Sequence, residues 1–217
     1  MSEELLAAVK DGDGARVREL LAADPSLADA RDESGVSVLM LSQYHGAHDA
    51  TKAIHAAREA LDAFEAAMLG DVDTLHALLH DDPTILDARS PDDATALHFA
   101  AFFAQPETAR LLVDHGADVH AVSPTFGNVT PLHSAAAGGS AEIVHLLLEA
   151  DADQNARQNG GFTALHAAAQ NGDVAMARDL LDHGADVDAA TDGGRTALAI
   201  AEEQGHEELA ALLREGR

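Results

Sequence analysis

The sequence predicts an all-α solenoid, a stack of short helix pairs in which no pair is stable alone. Three observations lead there. A unit written TPLHSAAAGGSAEIVHLLLEADAD from Thr130 recurs as TALHFAAFFAQPETARLLVDHGADVH from Thr95 and TALHAAAQNGDVAMARDLLDHGADVD from Thr163. A degraded copy, TALAIAEEQGHEELAALLR, starts at Thr196, so the period is 33 to 35 residues, and self-similarity at such a period marks stacked repeats. Each unit carries two stretches of helical periodicity. Both stretches are shorter than an isolated helix needs to be, because nucleation is unfavourable, so stability has to come from roughly three or more stacked units.

Within the Thr130 unit, Thr130 is placed to cap a helix whose Leu132, Ala135 and Ala136 share one face. Its small side chains let the next helix approach closely. Gly139 turns the chain into a second helix with Ile143, Val144, Leu146, Leu147 and Leu148, too many apolar positions for a helix with one wet side.

Taken in order, the chain begins with a polar-faced helix pair over 2–23, in which Ser2 with Glu4 is expected to cap the start. The segment AADPSLADARD, 22–32, returns as HDDPTILDARS, 80–90, shifted by 58 residues. Between them, 37–59 keeps the spacing of the repeat but not its letters. Counting six back from each turn glycine gives Leu6, Met40, Phe64, His98, His133, His166 and Ala199, with separations of 34, 24, 34, 35, 33 and 33. Seven helix pairs follow, with about ten residues missing after the second, so a helix ending near Ala57 should run almost directly into one beginning near Ala60. In the last pair, 196–214, Glu202, Glu203, Glu207 and Glu208 replace outer apolar residues, as a terminal repeat requires.

The TPLH, the alanine pair and the GAD together resemble the ankyrin repeat. That resemblance implies helix pairs joined by short β-hairpin fingers, a protein-binding role and no chemistry. It implies that His98, His133 and His166 hydrogen-bond the backbone of the neighbouring loop. The ten missing residues then correspond to one finger, whose loss should leave a notch, while two extra residues should lengthen the finger over 122–128. The expected division is a capping pair at 1–33, an irregular fingerless unit at 34–59, a second unit with the DP link at 60–93, regular repeats at 94–126, 127–160 and 161–190, and a cap at 191–217.

Composition narrows the function. Asp and Glu number 38 against 13 Lys and Arg, a formal charge of -25, which opposes binding to nucleic acid and to anionic membranes and favours a basic or amphipathic segment of a protein or peptide. There is no cysteine, hence no disulfide frame and no thiolate chemistry. The N-terminus carries acid where a secretory signal carries positive charge, and no stretch has membrane-spanning length. A cytoplasmic monomer is expected. No HExxH, GxSxG or glycine-rich phosphate loop occurs, so neither catalysis, metal nor cofactor is expected. His115 and His183 stand where a last-turn histidine complements the helix dipole, and His45 with His48 is a pair lacking a third metal ligand.

The family resemblance also implies a concave binding face, built from the fingers and from two positions four and five residues after the motif histidine. Those positions place Tyr44, His45, Met68, Phe102, Phe103, Gln170 and Asn171 on it, with Leu69 beside Met68, and the fingers add Val129, Phe162 and Arg195. Aromatic residues make up 3% of the chain, yet FAAFF puts three of them within five residues, of which Phe99 is expected inside and Phe102 outside. An alternative reading puts a small-molecule pocket or enzyme site at the notch, with Tyr44, His45 and His48 as polar groups among Met68, Phe102 and Phe103.

Overall fold

The computed structural model describes residues 1–216, which form fourteen α-helices: α1 (Ser2–Lys10), α2 (Gly14–Ala23), α3 (Val38–Tyr44), α4 (His48–Ala57), α5 (Ala63–Leu69), α6 (Val72–Asp81), α7 (Ala96–Phe102), α8 (Pro106–Asp114), α9 (Pro131–Ala137), α10 (Ala141–Glu149), α11 (Ala164–Asn171), α12 (Val174–Asp182), α13 (Ala197–Gln204) and α14 (Glu207–Glu215). Among the described residues the only β-pairing is three isolated antiparallel bridges, Arg31 with Ser37, Ser123 with Val129 and Ala190 with Thr196. The fold is therefore the all-α one expected. The chain divides into two compact units, Met1–Glu65 and a second that begins at Ala66.

In the first unit α1 packs on α2 and α3, and α2 on α4, around Leu5, Val9, Val17, Leu39, Met40 and Ile54, all wholly buried. Met40 is thus core at the position where the regular repeats have histidine. Asp13 caps α2 by accepting from Arg16 N at 2.9 Å, and Ser37 caps α3 by accepting from Met40 N at 3.2 Å. The expected Ser2 cap does not form. Met1 precedes α1 without a side-chain cap, and Glu4 instead pairs with Arg16.

The connection from α4 to α5 carries no bridge among the described residues, and α5 starts at Ala63 rather than near Ala60. The reason is a reciprocal capping box: Glu65 N donates to Asp62 Oδ1 at 2.9 Å and Asp62 N to Glu65 Oε2 at 3.0 Å. This places Glu65, not Phe64, at the position of the motif histidine. The span from cap to turn is one residue short, since Asp62 precedes its left-handed Gly70 by eight residues whereas Thr130 precedes Gly139 by nine, and that is why counting back from the glycine slips by one. Glu65 is wholly buried and its charge is met by Arg58, 8% exposed. Arg58 also donates to Ala60 O at 3.1 Å and lies 3.4 Å from Asp29.

In the second unit α7, α9, α11 and α13 pack in series, and α6, α8, α10, α12 and α14 form a second layer behind them. The inner layer is built on wholly buried Ala100, Ala101, Ala135, Ala136, Ala168 and Ala169, and the outer one on Leu112, Ile143, Val144, Leu147, Met176 and Leu180. Alanine is needed because the inner helices nearly touch. At Gly138, whose φ is an ordinary -72°, an added Cβ would stand 2.3 Å from Phe102 O. The glycine is there for close approach and not for conformational freedom. The Ser123–Val129 bridge encloses five residues, as do the other two, so the two extra residues of that repeat do not lengthen its bridged loop.

Candidate protein-binding face

The hydrogen bonds of the three motif histidines fix where the fingers stand. In each, the Thr backbone N–H donates to histidine Nδ1, at 3.3 Å for Thr95, 3.2 Å for Thr130 and 3.1 Å for Thr163. Since Nδ1 accepts, the proton is on Nε2, which donates to the next finger: His98 to Val129 O at 3.2 Å, His133 to Phe162 O at 3.3 Å and His166 to Arg195 O at 3.1 Å. Burial pushes the His98 pKa down to about 4 and lowers those of His133 and His166, so the neutral tautomer that this geometry requires is the one present near neutral pH. His115 and His183 do the reverse at the ends of α8 and α12, each donating from Nδ1 to a last-turn carbonyl, Leu111 O and Asp179 O, at 2.8 Å.

Neighbouring fingers are also tied to each other. Asn159 N donates to Gly127 O and Asp192 N to Gly160 O, both at 2.8 Å. Arg89 reaches Val122 O at 2.7 Å and Arg157 reaches Ala190 O at 2.7 Å. These arginines were missed by sequence reasoning, although a signal exists: Arg31, Arg89 and Arg157 each stand six residues before the Ser or Thr that starts a helix pair, Ser37, Thr95 and Thr163.

On this frame Phe102 closes α7 with half of its surface exposed, 50%. The chain leaves the helix through Ala104, at φ 52° where other repeats use glycine, a conformation that costs a non-glycine residue about 1 kcal/mol or more. The half-buried Phe103 ring meets Phe102 edge-on, centroids 5.2 Å apart at 84°. Further along, Ala137 and Gln170 are exposed. Asn171 is exposed too, but its Nδ2 donates to Ala136 O at 3.2 Å, which ties α11 to the end of α9. Val129 and Phe162 are half-buried; their carbonyls serve the histidines, and the Phe162 ring stands edge-on to His166 at 5.7 Å. Arg195 is exposed and pairs with Glu203 at 3.1 Å. The fingers add exposed apolar surface that the site prediction did not include, Val122 at 41% and Phe126 at 46%.

Met68 is a correction. It is wholly buried, a core residue rather than a surface one, because with Glu65 in the place of the motif histidine Met68 stands where the buried Ala136 does in the Thr130 unit. Leu69 is half-buried. Tyr44, 37% exposed, and His45 end α3 in the first unit, with His48 exposed at the start of α4. Among the described residues no group of three or more His, Cys, Asp or Glu side chains is arranged to hold a metal ion, and no helix is long and apolar enough to cross a membrane.

Comparison with known proteins gives one consistent pattern. A family model for ankyrin repeats, three copies long, matches residues 63–158 and 152–216. Target of rapamycin complex 2 subunit AVO2 of Saccharomyces cerevisiae is 30% identical over 176 residues, 74% of this chain and 41% of that protein. Protein phosphatase 1 regulatory subunit 27 of Mus musculus is 33% identical over 92 residues, 42% of this chain and 58% of that one. E3 ubiquitin-protein ligase XB3 of Oryza sativa subsp. japonica is 41% identical over 93 residues, which make up 42% of this chain and 20% of the ligase. The chain thus spans less than two thirds of each of these relatives.

Proposed function

Because this chain belongs to the ankyrin-repeat family, we propose that it is a non-catalytic scaffold that binds a protein or peptide through the inner-helix ends and fingers of its second unit. The observation that carries the reading is Phe102, half exposed with Phe103 against it, in a chain with few aromatic residues. Contiguous exposed apolar surface on a soluble protein usually has a use, and an aromatic anchor ringed by polar residues is the usual centre of an interface. The subunit and regulatory-subunit relatives support a role in assembly.

The charge of -25 favours a basic or amphipathic segment, steered to the surface by long-range attraction. An apolar patch of about 300 to 600 Å² contributes on the order of 10 kcal/mol at 25 cal/mol per Å², most of it offset by the cost of association, so micromolar affinity is expected. On this reading the protein acts as a cytoplasmic monomer, and duplex DNA at physiological salt should not bind. The test is affinity capture from the native cell, followed by titration of the captured partner. Phe102→Ala should weaken that partner by about 2 kcal/mol or more with the thermal midpoint of the free protein unchanged, and Gln170→Ala should cost little. An unfolded Phe102→Ala protein, or unchanged affinity in both variants, overturns the assignment of the face.

A further inference from the structure

In an asparagine followed by glycine, the following amide nitrogen reaches the side-chain carbonyl most easily, since glycine places no Cβ in the way and its backbone turns freely. The chain contains this dipeptide twice, at Asn159-Gly160 and Asn171-Gly172, and the fold treats the two differently. Asn171 is the last residue of α11, and the Gly172 N–H is already bonded to Ala168 O. Its side chain is occupied as well, donating to Ala136 O at 3.2 Å. Asn159 is exposed at a finger tip. The Gly160 N–H makes no hydrogen bond among the described residues, although its carbonyl accepts from Asp192 N at 2.8 Å. Meanwhile Asn128 Nδ2 donates to Asn159 Oδ1 at 2.8 Å, a bond that polarises the amide and leaves its carbon the better electrophile.

We propose that Asn159 is a site of spontaneous backbone-mediated modification. The Gly160 nitrogen, having lost its proton to solvent, attacks Asn159 Cγ. The Cγ–Nδ2 bond breaks, ammonia leaves with a proton taken up from water, and a cyclic imide closes. Water then opens one or other imide carbonyl, giving aspartate or isoaspartate at this position. Either product adds a negative charge at a finger tip whose side chain faces Gly127 and Asn128 of the preceding finger. The aspartate can still accept from Asn128. The isoaspartate inserts a methylene into the main chain between residues 159 and 160 and so displaces the Gly160 carbonyl from Asp192 N, a bond that joins two fingers. This inference is independent of the partner proposed above.

Cleavage after Arg157 and Arg178 leaves both asparagines on one peptide, so fragment-ion mass spectrometry compares them directly. After incubation of the folded full-length protein at mildly alkaline pH, the mass gain of amide-to-acid conversion should accumulate at Asn159 on the order of ten-fold faster than at Asn171, the protection that about 1.4 kcal/mol of helix opening gives. In denaturant the two should react at similar rates. Asn159→Gln should remove most of the acidic species on ion exchange, leaving the slower Asn171 product, with the denaturant midpoint unchanged. Equal rates at the two sites in the folded protein, an Asn159 that reacts only after unfolding, or acidic species that accumulate undiminished in Asn159→Gln would each overturn the proposal.

Discussion

The start of α5 and the start of α9 solve the same problem with different chemistry. Each must satisfy the free N–H groups of a seven-residue helix and anchor the segment beside it. At α9 the box is Thr130 and His133, and the spare imidazole nitrogen donates to the following finger at Phe162 O. At α5 the box is Asp62 and Glu65, and the spare carboxylate oxygen accepts from Arg58 in the preceding connection. One arrangement is neutral and reaches forward along the chain; the other is charged and reaches back. The arginines six residues ahead of each pair follow the same division. Arg89 finds the Val122 carbonyl of a following finger, whereas Arg31, with no finger after its own, pairs with the Asp62 carboxylate at 3.3 Å. Where a backbone carbonyl is the acceptor in the second unit, a carboxylate stands in its place in the first.

The comparison breaks most visibly at Arg58. Arg58→Ala leaves the buried Glu65 carboxylate without its cation and should destabilise the first unit by about 3 to 5 kcal/mol, read as a shift in denaturant midpoint. A loss under about 1 kcal/mol would mean that water reaches Glu65.

Acid is the next test, and here the second unit is the weaker. A histidine whose folded pKa lies below its unfolded value binds protons more tightly when unfolded, so its contribution is whole above about pH 6.5 and drains away as pH falls through the window between the two values. With His98 held to about 4, the loss on going from pH 6.5 to 4 approaches about 3 kcal/mol from that residue alone, with His133 and His166 shifted in the same direction. In the first unit Ser37 and Met40 take these positions, so amides of α7, α9 and α11 should lose hydrogen-exchange protection on acidification before those of α3. The reverse order would contradict the histidine account.

Close packing gives a smaller effect. Gly138→Ala forces a methyl against Phe102 O and should cost about 1 to 3 kcal/mol, even though alanine has the better helix propensity; a stabilised variant would show that the inner helices can separate without penalty. The smallest difference is between the arginines. Arg31→Ala removes an exposed ion pair with Asp62 and one hydrogen bond to Gly35 O and should cost about 0 to 1 kcal/mol, the ion-pair part declining with added salt. Arg89→Ala removes hydrogen bonds to two backbone carbonyls, Asp93 O and Val122 O, and should cost about 1 kcal/mol with little salt dependence.

What the sequence disclosed and what it hid follow from how each feature is encoded. Repeat period, helix pairing and the histidine bonds were legible because each is written in residues that recur at fixed spacing. The start of α5 was not, because the count ran from Gly70 and assumed a constant helix length. The D-x-x-E pattern of Asp62 and Glu65 is a sequence-level capping signal, and reading it first would have found the box. Met68 was misplaced by the same slip of one residue, and in a helix one residue is a turn of about 100°. Phe102 was legible as an outlier in composition. Its outward face, with Phe99 turned inward, was expected from its place four residues after the motif histidine, and the two are 50% and 3% exposed.

The direction in which the motif histidines point also gives the stack an arrow in time. Each buried imidazole of α7, α9 and α11 donates to a carbonyl some thirty residues later in the chain, as His166 does to Arg195. A ribosome releases the donor first. Until the downstream finger emerges, that N–H sits in a half-built unit with no acceptor but water, so the newest helix pair on a growing chain should stay loose and the one before it should tighten only when the next arrives. A finger carbonyl that lost its upstream partner would simply be solvated. Shortening the second unit from its C-terminal side should therefore unsettle more of what remains than removing an equal length from its N-terminal side.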